Sequence, residues 1–173
     1  MRYLLKFIKK ENIAPVMLAD RILEVAALVL ALFLVVVTVF FYMNAPEQIP
    51  THFNGRGEID GWSEKNTYFV LLAAFLVGMA ICNMAAYNHK LVNLPVNLNP
   101  KCMPQQLALI GRMVRILSIL IGVLGLILLL MSSASRLGCE SSKLNPFFIL
   151  VLCAVVIDII FYTIRIWYVG KQY

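Results

Sequence analysis

The sequence predicts an all-α membrane protein: a four-transmembrane-helix bundle with a small hairpin-like extracytoplasmic cap between helices 1 and 2. Three observations predict it. First, 61% of the 173 residues are hydrophobic and 14% are charged, with a mean hydropathy of +0.84. Soluble domains sit near half apolar and a quarter charged, so a water-soluble fold is excluded. Second, four stretches approach the ~20 apolar residues needed to cross a bilayer: 22–43, 67–87, 113–132 and 146–168. Third, the basic residues are lopsided. Arg2, Lys6, Lys9, Lys10, Arg21, Lys90, Lys101, Arg112, Arg115, Arg165 and Lys171 fall on one side of that topology, and only Arg56, Lys65, Arg136 and Lys143 on the other. The positive-inside rule then puts both termini and the middle loop in the cytoplasm, and 46–65 and 134–145 outside a cytoplasmic membrane. The net charge of +6 is therefore a topology signal, and the bilayer rather than nucleic acid is the expected partner.

Residues 1–14 read as a basic amphipathic cytoplasmic segment, with Leu4, Leu5 and Ile8 on one helical face and Arg2, Lys6, Lys9 and Lys10 around them. A basic terminus that only sets orientation is the alternative. The apolar run that follows is too long for a signal-peptide core and lacks a small-residue cleavage site. Residues 15–173 then form a single membrane domain. Pro15 suits a first helical turn, with Asp20 and Glu24 in the next turns. From Val25 to Met43 the first span is branched and aromatic, with Thr38 as its polar exception, so it can face lipid on most sides. The second carries Ala74, Gly78, Cys82 and Ala86 every four residues, a stripe that lets a neighbouring backbone approach. Ser118, Gly122 and Gly125 provide the same in the third, which makes helices two and three the expected tight interface.

The middle loop, 88–104, holds Pro95, Pro100 and Pro104 and is expected to run extended, with Pro104 starting helix three. Gln105–Arg115 reads as a basic, partly cytosolic start to that helix. Cys82, Cys102, Cys139 and Cys153 have no metal-like spacing. Only Cys139 faces the oxidising side, so no intrachain disulfide is expected.

In the fourth span, Asp158 lies roughly 18 Å from Pro146, near the bilayer midplane. An ionised carboxylate there costs at least ~2.5 kcal/mol. It is expected to be protonated, paired with Arg165 or an amide such as Asn83, or facing water. A proton or ion site and a neutral hydrogen-bonding strut are the two readings.

The outer segment 46–65 is unlike the rest. It holds four of the nine carboxylates (Glu47, Glu58, Asp60, Glu64), one of two histidines and one of two tryptophans. Ile49, Thr51 and Phe53 alternate with Pro50, His52 and Asn54 in a strand-like run. Gly55-Arg56-Gly57 reads as a flexible turn and Asp60-Gly61 as a tight-turn dipeptide. A compact hairpin-like cap lying on the bundle results, with Trp62 and Tyr68 at the lipid headgroups. His52 and Asn54 share a face and approach Glu58 or Asp60. Such a group can share a metal ion, can act as a pH-sensitive pair, or can simply satisfy backbone groups in a structural loop. The spacing favours the last, and neither a metal site nor a cofactor is expected.

Pro46, Ile49, Pro50, His52, Phe53, Asn54, Gly57, Asp60, Gly61 and Trp62, placed just after a first transmembrane helix, resemble the signature of the DUF1648 family of bacterial membrane proteins. The resemblance covers about 25–87. It implies a bacterial multi-pass membrane protein related to SdpI-type immunity proteins. Those proteins protect the producing cell from a secreted toxin, signal to a cytoplasmic repressor, and have a longer chain with additional C-terminal spans. The leading expectation is a non-enzymatic protein that senses or neutralises a peptide toxin or envelope ligand outside. A cytoplasmic regulator or a second copy of the chain would be its inner partner. A small proton- or ion-coupled transporter or transporter subunit is the alternative carried by Asp158. A membrane enzyme using His52 with Glu58 or Asp60 is the third, and it lacks a recognisable nucleophile.

Overall fold

A computed structural model describes residues 16–172; the amphipathic segment 1–14 and Pro15 lie outside them. The four expected helices and the hairpin are present: α1 (Leu18–Asn44), β1 (Gln48–Phe53), β2 (Ile59–Glu64), α2 (Thr67–Ala85), α3 (Met103–Ser133) and α4 (Asn145–Lys171). All four helices are long and apolar enough to cross a membrane. Helices α1, α3 and α4 outrun the expected spans, α3 starting ten residues early because its first turns are packed in the bundle, whereas α2 ends at Ala85, two residues short of the expected 87.

The first turn of α1 is fixed by Asp20, whose Oδ2 accepts a hydrogen bond from Met17 N at 2.9 Å. Asp20, Ala27, Leu34 and Phe41 are buried at seven-residue intervals, a narrow seam of the coiled-coil kind. The remaining faces, including Leu28, Leu32, Val36 and Phe40, are exposed and available to lipid.

Helix α3 is the axis of the bundle and packs against α1, α2 and α4. Half of its most apolar window (50%) is buried, against 17–22% for the other helices. Small side chains make this closeness available: a Cβ on Gly122 would lie 2.6 Å from Leu30 Cδ2 on α1 and 3.0 Å from Met79 on α2. In a bilayer, lipid is as apolar as leucine, so such close packing rather than water exclusion holds helices together. The expected α2–α3 interface is therefore present, with α1 entering the same notch.

At the end where α1 begins and α4 ends, here the basal end, the middle loop is not simply extended. Asn88 and Asn99 each accept from the backbone two residues on, capping short 3-10 turns at His89–Leu91 and Pro100–Cys102. Asn99 Nδ2 donates to Gly170 O at 2.9 Å and Gln106 Nε2 to Ile166 O at 2.9 Å, which pins the loop to α4. The Gln105–Arg115 stretch, expected to be partly cytosolic, is packed. Gln106 and Arg115 are fully buried, because acids on α1 meet the arginines. Arg112 Nε lies 3.0 Å from Asp20 Oδ1 and Arg115 2.8 Å from Glu24 Oε1. Tyr87 donates to the same Glu24 and lies under the Arg115 guanidinium, 5.2 Å from ring centroid to Cζ.

A candidate ligand groove beneath the hairpin

The hairpin forms from its turn outward. Asn54 Oδ1 accepts from Arg56 N at 2.9 Å and from Glu58 N at 3.1 Å, while its Nδ2 donates to Glu58 Oε2 at 2.7 Å. Gly57 closes the turn by donating to Asn54 O at 2.8 Å. It does so at φ +79°, a left-handed conformation that glycine adopts without steric cost. The turn therefore lies at 54–58, and Asp60-Gly61, expected to be a tight turn, is inside β2. A side chain that satisfies three polar groups at once outweighs the turn preference of an Asp-Gly pair.

The antiparallel register sets Pro50 opposite Trp62 and His52 opposite Gly61, with irregularities on both sides of His52. Gly61 has no room for a side chain, since a Cβ there would sit 2.7 Å from His52 Cβ. Over that gap His52 Nδ1 reaches Asp60 Oδ1 at 2.5 Å, with 74% and 42% of the two side chains exposed. Glu58 turns instead to Asn54, so His52 and the two carboxylates do not converge. Among the described residues no three metal-ligating side chains group together. Thr51 and Ser63 pair across the strands at 2.9 Å. At the hairpin base Lys65 Nζ meets Glu47 Oε1 at 2.8 Å, and that hydrogen bond holds the ammonium pKa above its ordinary value.

The inner face of the hairpin is docked. Ile49 is 1% exposed and joins a cluster with Phe41, Tyr68 and Leu129, and Pro50 is buried beside it. Tyr68, expected at the headgroups, is buried with its hydroxyl 2.8 Å from Ser133 Oγ. A nearby hydroxyl partner inside the bundle satisfies the phenol without water. Trp62 and Pro46 are exposed. Three further side chains clasp the hairpin from the α3–α4 half: Ser132 donates to Pro50 O, Ser141 Oγ to Gly57 O at 2.7 Å, and Asn145 Nδ2 to Gly55 O at 3.0 Å. Sequence reasoning missed all three. Their one signal is that polar side chains flank the connection between α3 and α4.

Beneath β1 lies a groove of about 390 Å³ between the hairpin and the α3 and α4 helices. Thr51, His52, Phe53, Asn54 and Gly55 form its roof, Asn145 its end, and Leu128, Met131, Phe148, Ile149 and Leu152 its apolar wall. Polar groups at one side and hydrocarbon at the other suit an amphipathic ligand.

Residues 29–89 match the model of the DUF1648 family, described as a domain of unknown function. The chain carries a DUF1648 domain. No curated protein and no solved structure matches the chain. The matched residues take in α1 from residue 29 onward, the hairpin and α2, hence the whole roof of the groove. The wall comes from α3 and α4, and the clasp from α3, the connection after it and the start of α4, all beyond the DUF1648 match. Asp158 lies apart from this site, 13 residues from either end of α4. It is buried, pairs with neither Arg165 nor Asn83, and its Oδ2 has no hydrogen-bond partner among the described residues.

Proposed function

We propose that this DUF1648 protein is a non-enzymatic, multi-pass protein of the cytoplasmic membrane that captures an amphipathic peptide from the outer side, in a sensing or immunity role. The observation that carries the reading is the groove. His52, Phe53 and Asn54 of the family motif roof a wall built from α3 and α4. The hairpin segment holds Glu47, Glu58, Asp60 and Glu64 against Arg56 and Lys65, a balance that favours a basic peptide. The resemblance of the motif to that of SdpI-type immunity proteins supports the same role. A peptide seated in the groove would bridge the DUF1648 half and the α3–α4 half. Helix α3, running on to Arg112 and Arg115, gives its arrival a path to the basal end and to a cytoplasmic regulator.

A photoreactive side chain at Ile149 tests this. Ile149 lines the groove, whereas Val156 is exposed to lipid away from it. In cells grown in medium conditioned by peptide-secreting neighbours, the Ile149 probe is expected to cross-link a peptide that the Val156 probe does not. Lipid adducts alone at both positions would contradict the proposal.

A further inference from the structure

We infer that the cavity between α1 and α2 at the basal end binds a phospholipid with a primary-ammonium headgroup, of which phosphatidylethanolamine is the simplest. The inference stands independently of the groove beneath the hairpin.

Glu24 on α1 and Asn83 on α2 are the two polar residues lining this cavity of about 290 Å³, whose apolar walls include Ala27, Leu28, Leu76 and Met79. Helix α2 is 19 residues long, or ~28 Å, close to the ~30 Å of a bilayer's hydrocarbon. Asn83, two residues from the end of α2, therefore lies at the basal interface, and the apolar walls run from there toward the membrane interior. Leu28 is 61% exposed, and Ala80, which also lines the cavity, is exposed too. The cavity is thus reached from the side of the bundle, where membrane-length helices face lipid.

The hydrogen bonding of Glu24 and Asn83 selects the head of that lipid. Arg115 Nε and Nη2, each at 2.8 Å, and the Tyr87 hydroxyl all meet Glu24 at Oε1. Its Oε2 is left without a partner among the described residues, and its side chain keeps 22% exposure. The Asn83 amide nitrogen donates to Met79 O at 3.0 Å and to Ser118 Oγ at 2.8 Å, which spends both its N–H groups and leaves Oδ1 free among the described residues. The lining therefore offers two acceptors and no spare donor. Phosphate and ester oxygens only accept, and the trimethylammonium of a choline head has no N–H. A primary ammonium brings three donors and a positive charge, and its bond to a carboxylate is charge-assisted. Arg21, one turn nearer the start of α1, is exposed and forms no ion pair among the described residues. It provides a free cation for the phosphate of the same lipid.

A photoreactive side chain at Leu28 reports the lipid seated in the cavity. One at Val29, exposed on the same helix but outside the lining, reports the surrounding lipid. The full-length chain is reconstituted in vesicles holding phosphatidylcholine and phosphatidylethanolamine in equal parts, and the lipid adducts are counted by mass. The Leu28 adducts should favour phosphatidylethanolamine about tenfold, the effect of one charge-assisted hydrogen bond, with no preference at Val29. Replacing phosphatidylethanolamine by its N-methyl and then its N,N-dimethyl derivative removes donors one at a time, and the preference should fall at each step. Glu24→Gln should lower it severalfold. The inference is overturned by equal adducts of the two lipids at Leu28, by a preference that Val29 shares, or by one that methylation or Glu24→Gln leaves unchanged. A preference for phosphatidylglycerol over phosphatidylethanolamine would also overturn it, since an anionic head would then be answering Arg21 alone. The methylation series keeps Glu24 and Asn83, so it decides even if Glu24→Gln fails to fold.

Discussion

Asn54 holds the hairpin turn with one amide: two backbone N–H groups and the Glu58 carboxylate all bond to it. Asn54→Ala removes those bonds without removing packing and is expected to cost the turn about 1–2 kcal/mol. Amide exchange at Arg56 and Glu58 should accelerate roughly five- to thirtyfold, and unchanged exchange would contradict the assignment. Gly61 and Gly55 offer a matched pair. A Cβ at Gly61 meets His52 Cβ at 2.7 Å, while one at Gly55 meets nothing within 4 Å. Gly61→Ala should therefore push His52 off Asp60 and destabilise by about 1–3 kcal/mol, and Gly55→Ala should be neutral. Thermal unfolding in detergent compares them, and equal melting of the two variants would sink the steric argument.

At the scale of elements, the hairpin behaves as a lid held by the other half of the chain. Removing both Ser141 and Asn145 donors, as Ser141→Ala with Asn145→Ala, frees the Gly55 and Gly57 carbonyls. Trypsin should then cut after the exposed Arg56 faster than in wild type, with the four helices resistant; an unchanged cutting rate would mean that the clasp is not what holds the tip. These bonds also mark the limit of what the sequence discloses. Hydropathy exposed the four spans because each is a local apolar run. Alternation at Ile49, Thr51 and Phe53 exposed β1, and the eight-residue spacing brought His52 to Asp60. The Asp60-Gly61 turn was misplaced because the Asn54 side chain recruits the turn first. Tyr68 was placed at the headgroups because its partner, Ser133, is 65 residues away. Ser141 and Asn145 act on carbonyls 84 and 90 residues distant, and no local pattern announces such pairs.

Across the whole molecule, α3 joins two polar layers: the hairpin clasp at the cap end and the arginine–acid layer at the basal end. Arg115 is 1% and Glu24 22% exposed at the side chain, so Arg115→Ala strands an acid with little water. The expected loss is about 3 kcal/mol, at the low end for a buried pair because Glu24 keeps some solvent. Glu24→Ala with Arg115→Ala should lose less than Arg115→Ala alone. Additive losses in that cycle would show the pair to be uncoupled. The signal in the sequence was there, acids four apart on α1 and arginines three apart on α3, yet charge counting alone read the arginines as a loop flank. The central claim is that the hairpin and the second connection form one unit, which we propose lies on the outer face of the membrane. Labelling by a membrane-impermeant maleimide tests it most directly, using Cys139, which is exposed, and a Gly55→Cys variant, each as the single reactive cysteine. The account predicts that both sites are labelled in intact cells. Labelling of either site only after lysis would contradict it.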